Sequence, residues 1–269
     1  MRIGKERLRR VETTKKVIEQ APVLEKRILA KGVFQLVAKA PKIAALSVPG
    51  QFVMMRLTTL ADPLLRRPIS IAGADPEQGM ISLICRVVGH GTELLSTVGI
   101  GDFLDILGPL GHGFDMECRR PLLVGGGIGL APLLFAAARF CPDPVEVLAG
   151  GRTCDEMFWA ELFRQTCDKV HVATDDGSLG ICGTCADALP DILKKGRYDM
   201  VLTCGPRPMM WRVASEAAKI GIRTQVSLEK HMACGLGACR ACTCQAADGG
   251  MRQACKDGPV FWSEEVVWT

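Results

Sequence analysis

Apolar and polar residues alternate with period two in several short runs of the first part of the chain. The runs cover residues 31–38, 51–57, 69–72, 80–88 and 103–107. A period of two places successive side chains on opposite faces of a strand. Turn-forming residues separate the runs: Pro41, Pro49-Gly50, Asp62-Pro63, Asp75-Pro76, Gly79, Gly99, Gly101 and Pro109. About six short strands at this spacing predict a small closed antiparallel barrel over residues 21–116, with one short helix opening at Thr92.

The pattern changes at residue 117. Short apolar runs at 121–124, 145–149, 169–174, 200–203 and 223–228 now alternate with stretches of helical period at 133–137, 155–165 and 209–220. Strands alternating with helices predict a parallel sheet over residues 117–228, with ligands at the carboxyl ends of its strands. The last part of the chain, residues 229–269, is cysteine-rich and lacks either period. The first twenty residues carry seven Lys or Arg against three Glu and few large apolar residues, and read as a basic, solvated extension.

Composition narrows the function. The chain has 269 residues, 48% hydrophobic and 23% charged, enough for two ordinary domains and a small third. A net charge of +4 gives no argument for nucleic acid. No apolar run reaches the length of a membrane span. The basic start is not followed by the apolar core of a secretory signal. The thirteen cysteines are therefore expected as thiols or cluster ligands in a reducing cytoplasm.

Four of these cysteines carry the strongest signal. Cys234, Cys239, Cys242 and Cys255 have the spacing C-x4-C-x2-C-x12-C. This is the plant-type pattern for four thiolates on a [2Fe–2S] cluster, and it fits poorly the paired short spacings of zinc sites. Gly235 and Gly237 let the loop fold close around the cluster. Cys244 is a fifth thiol, and His231 reads as a solvated residue, because four thiolates complete the count. Cys182 and Cys185 form an isolated C-x2-C, read as incidental.

Two motifs lie in the barrel region. Arg67-Pro68-Ile69-Ser70 places an Arg three residues before a Ser at a strand start; an Arg can pair with a pyrophosphate, and the Ser hydroxyl can reach the polar edge of a flavin. Gly91-Thr92 opens the short helix, where backbone N–H groups favour an anion. Each motif taken alone is equally an ordinary strand start or capped turn. A glycine loop at Gly125, Gly127 and Gly129, followed by Pro132, stands between a strand and a helix, the context of a dinucleotide phosphate loop. Cys204-Gly205-Pro206 and Thr174-Asp175-Asp176-Gly177 end later strands of the same sheet. Arg152 follows another, where a basic residue can take a 2′-phosphate or remain a solvated loop charge.

The order of these motifs resembles the ferredoxin–NADP reductase superfamily. That resemblance implies that Arg67 and Ser70 hold FAD, with Pro68 and Ile69 between them. It implies that Ile84, Cys85 and Arg86 run along the flavin and that Gly91 and Thr92 bind its phosphates. It implies that Gly125, Gly127, Gly129, Asp175, Gly205 and Pro206 serve the nicotinamide nucleotide, with Cys204 beside the transfer site. Ile69 stands where the superfamily usually has an aromatic residue. With the cluster motif at the end, the chain most resembles the electron-transfer subunits of class 1B dihydroorotate dehydrogenases, over roughly residues 22–265. The RRPIS run, the M-A-C-G-x-G-A-C-x-A-C run and the C-x-D-G-P-V-F ending carry that likeness.

The resemblance implies a β plus α/β chain: an N-terminal antiparallel FAD barrel, a parallel-sheet nicotinamide domain and a small C-terminal [2Fe–2S] domain. It implies a partner subunit bearing FMN that oxidises dihydroorotate, two copies of each chain, and transfer of electrons through the cluster and FAD to NAD. The alternative is the small subunit of an NADH-dependent ferredoxin–NADP oxidoreductase. The resemblance to that subgroup implies Asp at the first cluster position, where this chain has Cys234. The basic N-terminus and the Cys182/Cys185 pair depart from the family pattern.

Overall fold

The computed structural model describes residues 15–57 and 64–268. The basic extension expected over 1–20 lies outside the described residues up to position 14. From Val17 the chain is already strand, so the first domain starts earlier than the alternation suggested.

Six strands close an antiparallel barrel: β1 (Val17–Ala30), β2 (Val33–Lys39), β3 (Phe52–Leu57), β4 (Arg67–Asp75), β5 (Met80–Arg86) and β6 (Phe103–Leu110), in the order β1-β2-β5-β4-β3-β6. Helix α1 (Pro41–Leu46) and helix α2 (His90–Thr97) cover its openings. The long β1 was not evident in the sequence because Glu19, Glu25, Lys26 and Arg27 break the alternation. It closes the barrel by pairing with β2 at one end and with β6 at the other, Ile18 opposite Leu107. Leu36, Val53, Ile71, Leu83 and Ile106 fill the interior.

The second domain alternates β7 (Pro121–Gly126), α3 (Leu130–Phe140), β8 (Glu146–Gly151), α4 (Phe158–Phe163), β9 (Lys169–Thr174), β10 (Ile181–Cys182), α5 (Cys185–Lys195), β11 (Met200–Cys204), α6 (Arg207–Lys219) and β12 (Arg223–Ser227). The sheet order β10-β9-β8-β7-β11-β12 reverses direction at β7, so a crevice opens beside the β7 carboxyl end. Helix α5 was missed by pattern because Pro190 lies inside it. A reciprocal cap between Thr184 and Asp187 fixes its start.

The C-terminal segment contributes the hairpin β13 (Thr243–Gln245) and β14 (Met251–Gln253), then β15 (Val260–Trp262). β15 joins the nucleotide sheet antiparallel to β12, Phe261 opposite Val226, so the expected all-parallel sheet is mixed at this edge. Arg223 stacks over the Trp262 ring at 3.6 Å, fastening the added strand.

The two main domains share one core. Val33, Ala72 and Ile84 of the barrel pack with Leu123, Leu130 and Leu133 of the nucleotide domain. Gln225 exchanges two 2.8 Å hydrogen bonds with the backbone of Asp115 in the linker. These contacts fix β5 against the loop that follows β7.

Candidate electron-transfer site

The side implied to hold FAD is built on β4 and α2. Arg67 and Ser70 stand on β4, opposite Met55 and Phe52 of β3. The Arg67 guanidinium crosses the start of α2 so closely that a Cβ on Gly91 would overlap it. A guanidinium laid over a helix N-terminus is a donor set for a phosphate, and it fits the implied FAD. Thr92 itself is committed to the turn: its hydroxyl accepts from the Val88 and Gly89 N–H groups and donates to the Gly89 carbonyl. Leu57, Leu65, Leu94 and Leu95 line a cleft beside the guanidinium.

Along β5 the three implied flavin residues diverge. Ile84 faces the nucleotide domain. Cys85 turns its thiol into the barrel core, where burial pushes it up to about 12, so only its backbone is available to a cofactor. Arg86 reaches out of the barrel until its guanidinium lies 3.7 Å from where a Cβ on Gly127 would be.

On the nucleotide side, β7 runs into the glycine loop and α3 begins beyond it. Gly125 is packed under Leu130 and Leu133, and Gly129 lies against the Cys204–Gly205 peptide, 2.6 Å from a built Cβ to the Gly205 nitrogen. The glycine loop and the Cys204-Gly205-Pro206 turn are thus in contact, and Pro206 leads into α6. Cys204 is buried at the β11 carboxyl end. Burial pushes its thiol well above the ordinary range, the Glu229 carboxylate adds to the shift, and Ser227 opposes it through a hydrogen bond.

Glu229 was not singled out by sequence. It is open to solvent, yet its carboxyl sits low in a cleft with Gly205, Pro206 and Leu228. Desolvation there raises it above the usual carboxylate range, and the charge of Arg86 works against that rise. The available signal was its position just past the carboxyl end of β12, on the ligand side of the sheet. Asp175 stands at the end of β9, its N–H donating to the Gly151 carbonyl.

The cysteine loop makes a second centre. Gly235, Gly237 and Arg240 have left-handed φ values of 71°, 82° and 59°, which coil the chain with its N–H groups inward. Leu236 and Cys239 donate backbone N–H bonds to the Cys234 sulfur at 3.3 and 3.5 Å, and Gly237 donates to Cys255 at 3.2 Å. Burial disfavours ionisation of Cys234, but the N–H groups of Cys239 and Leu236 outweigh it and bring the thiol to about 6. The Cys242 and Cys255 sulfurs lie 3.2 Å apart. Sulfur atoms wrapped by backbone donors suit an anionic thiolate-ligated cluster. No group of three or more His, Cys, Asp or Glu among the described residues is arranged to hold one metal ion.

The other thiols stand apart. Cys244 packs with Met210, Val226, Leu228 and Phe261, away from Cys242, as the hairpin alternation requires. Cys182 is exposed on β10, whereas Cys185 is buried under β7 and β8, its sulfur 3.5 Å from the Gly125 carbonyl. These two do not form a site together.

Comparison with known proteins agrees with this layout. Residues 229–267 match the family model described as the iron–sulfur cluster binding domain of dihydroorotate dehydrogenase B, and residues 20–114 match the oxidoreductase FAD-binding domain. The dihydroorotate dehydrogenase B (NAD(+)) electron transfer subunit of Bacillus caldolyticus is 38% identical over 257 residues, covering 93% of this chain and 98% of that protein. Its counterpart in Desulforamulus reducens is 39% identical over 255 residues, covering 92% and 97%. Among solved structures, a chain of the NADH-dependent reduced ferredoxin–NADP oxidoreductase superposes with a TM-score of 0.83 at 34% identity, over 93% of this chain and 90% of that one. The ferredoxin reductase in carbazole 1,9a-dioxygenase has a TM-score of 0.65 at 22% identity over 78% of this chain and 68% of that one, and shares the fold. No helix among the described residues is long and apolar enough to cross a membrane. Agreement over nearly the full length at this identity places the chain in the family of dihydroorotate dehydrogenase B (NAD+) electron transfer subunits.

Proposed function

We propose that this chain relays electrons from the FMN of a partner dihydroorotate-oxidising subunit to NAD+, in an assembly with two copies of each chain. The observation that carries the reading is the seating of the cysteine loop on the flavin barrel. Cys242 and Cys255 pack against Met54, Leu107 and Leu110 of β3 and β6. Met54 is itself paired with Pro68, next to Ile69 and Ser70.

When bound, a [2Fe–2S] cluster supplies one-electron transfer and FAD converts between one- and two-electron exchange. The protein supplies placement. Cys234, Cys239, Cys242 and Cys255 would hold the cluster. Arg67, Ser70 and the Gly91 turn would hold the flavin and its phosphates. The loop at Gly125, Gly127 and Gly129 would take the nucleotide phosphates at the start of α3, Asp175 borders the same crevice, and Gly205-Pro206 would line the nicotinamide end. Cys204 and Glu229 border the transfer site: the buried thiol stays protonated, and the carboxyl sits close enough to influence it.

A second reading, the small subunit of an NADH-dependent reduced ferredoxin–NADP oxidoreductase, has the 34% identical solved chain in its favour. Co-expression with a candidate FMN subunit separates the two. Dihydroorotate-driven NAD+ reduction by the co-purified complex is expected. Reduction driven by ferredoxin and not by dihydroorotate, or a clear preference for NADP+, would overturn the assignment.

A further inference from the structure

The far rim of the nucleotide crevice is formed by the carboxyl ends of β8 and β9. Arg152, just past β8, is a basic residue at this rim. Its guanidinium is already engaged. Nε and Nη2 donate to Glu156 Oε1 at 3.0 and 2.8 Å, and its backbone N–H donates to Glu156 Oε2 at 3.1 Å. The two side chains differ sharply in exposure, 76% for Arg152 and 17% for Glu156. The carboxylate is therefore the inner group and the guanidinium the outer one. Glu156 also lies against Gly151, its Oε2 3.3 Å from a built Cβ, and 3.9 Å from Arg86 Nη2.

The neighbouring turn adds negative charge. Asp175 and Asp176 donate their N–H groups to the carbonyls of Gly151 and Arg152, at 3.0 and 3.2 Å, which sets both carboxylates beside the same strand end. Asp176 is occupied by the Ser178 N–H and hydroxyl. The Arg152 guanidinium is thus paired with Glu156 and lies in the field of Asp175, and of these two carboxylates it is Glu156 that holds the guanidinium while being largely covered itself.

We propose that Glu156 determines coenzyme choice, accepting the ribose hydroxyls of NAD and excluding a 2′-phosphate both by its charge and by holding Arg152 away from it. The chemistry is general: a carboxylate at this end of a dinucleotide sheet suits a 2′-hydroxyl, and a free Arg suits a 2′-phosphate. The inference rests on the reading of this crevice as the NAD site. Glu156 acts as a specificity residue, and the Arg152 in its grip is a latent 2′-phosphate ligand.

The test uses the full-length, FAD-loaded chain and titrates 5′-AMP and 2′,5′-ADP by calorimetry, alongside NADH and NADPH oxidation with an artificial acceptor. Wild type should favour AMP and NADH. Glu156→Gln preserves size and removes one charge, and should shift the ratio toward 2′,5′-ADP by about tenfold or more, as expected for one ionic contact at partial exposure. Adding Arg152→Ala to that variant should abolish the gain. Arg152→Ala alone should leave both ligands unchanged, which keeps the proposal testable if Glu156→Gln folds poorly. An unchanged ratio in Glu156→Gln, a gain that survives without Arg152, or weaker 2′,5′-ADP binding in Arg152→Ala alone would each overturn it. Failure of wild type to bind AMP at all would remove the nucleotide reading of the crevice and this inference with it.

Discussion

Met54 fills the space that a side chain on Gly235 would need: a Cβ there would lie 2.5 Å from Met54 Cγ and 3.1 Å from Leu110 Cδ1. The cysteine loop is thus pressed directly onto the outer face of the flavin barrel. Gly235 has a φ of 71°, so the position also demands a left-handed backbone. Gly235→Ala meets both obstacles. The left-handed conformation alone costs about 1–2 kcal/mol for a residue with a Cβ, and Met54, being fully buried, has little room to yield. Iron and acid-labile sulfide per chain should fall well below wild type, while FAD content is kept. Full iron content in the purified variant would show that the loop need not touch the barrel.

The contact between Arg67 and Gly91 makes a paired prediction. Arg67→Ala removes a charge-assisted partner worth about 1.5–3 kcal/mol, so FAD affinity should drop about tenfold to a hundredfold. Gly91→Ala should have a similar effect by displacing the same guanidinium, and the double variant should be no worse than the stronger single one. Flavin retained after extensive dilution in either single variant would contradict this arrangement.

These two contacts show where sequence reading stops. The barrel strands after β1, the alternating second domain and the presence of an iron–sulfur binding segment were legible because period, turn residues and cysteine spacing are local. Strand β1 escaped because Glu19, Glu25, Lys26 and Arg27 interrupt its apolar alternation, and its apolar Ile18, Leu24 and Ile28 are exposed. β15 escaped because three residues carry no period, and only the free edge of β12 makes them a strand. At the site, Arg67 and Gly91 were each visible, but their contact spans two elements. Glu156 and Glu229 had no motif, since what distinguishes them is nearness to Arg152, Arg86 and Cys204. Cys85 lay in a legible strand, and its inward direction follows from register, with Phe34 opposite it.

Hairpin alternation turns Cys244 away from Cys242, so this thiol is expected to differ in role from Cys239. Cys239→Ser should lose the cluster and with it dihydroorotate-driven NAD+ reduction, while NADH oxidation with an artificial dye continues through the FAD. Cys244→Ser should keep wild-type iron content, because that thiol faces Val226 and Phe261. Loss of iron in Cys244→Ser, or normal coupled turnover in Cys239→Ser, would count against the four-ligand assignment.

Glu229 gives a prediction with a definite sign in pH. Desolvation raises its carboxyl in the folded chain, and Arg86 only partly offsets that. A carboxyl raised on folding contributes stability that is fully present below its unfolded value, and that contribution is lost as pH rises through the folded value. In Glu229→Gln this titration is absent. The variant should therefore gain thermal stability relative to wild type as pH increases from about 4, near the unfolded value, through the raised folded one. Melting curves of the FAD-loaded chain at a series of pH values measure the difference directly. A difference that is flat with pH would mean that Arg86 cancels the desolvation, and one that falls as pH rises would mean that Arg86 dominates and holds Glu229 as a stabilised carboxylate; either would contradict a raised carboxyl.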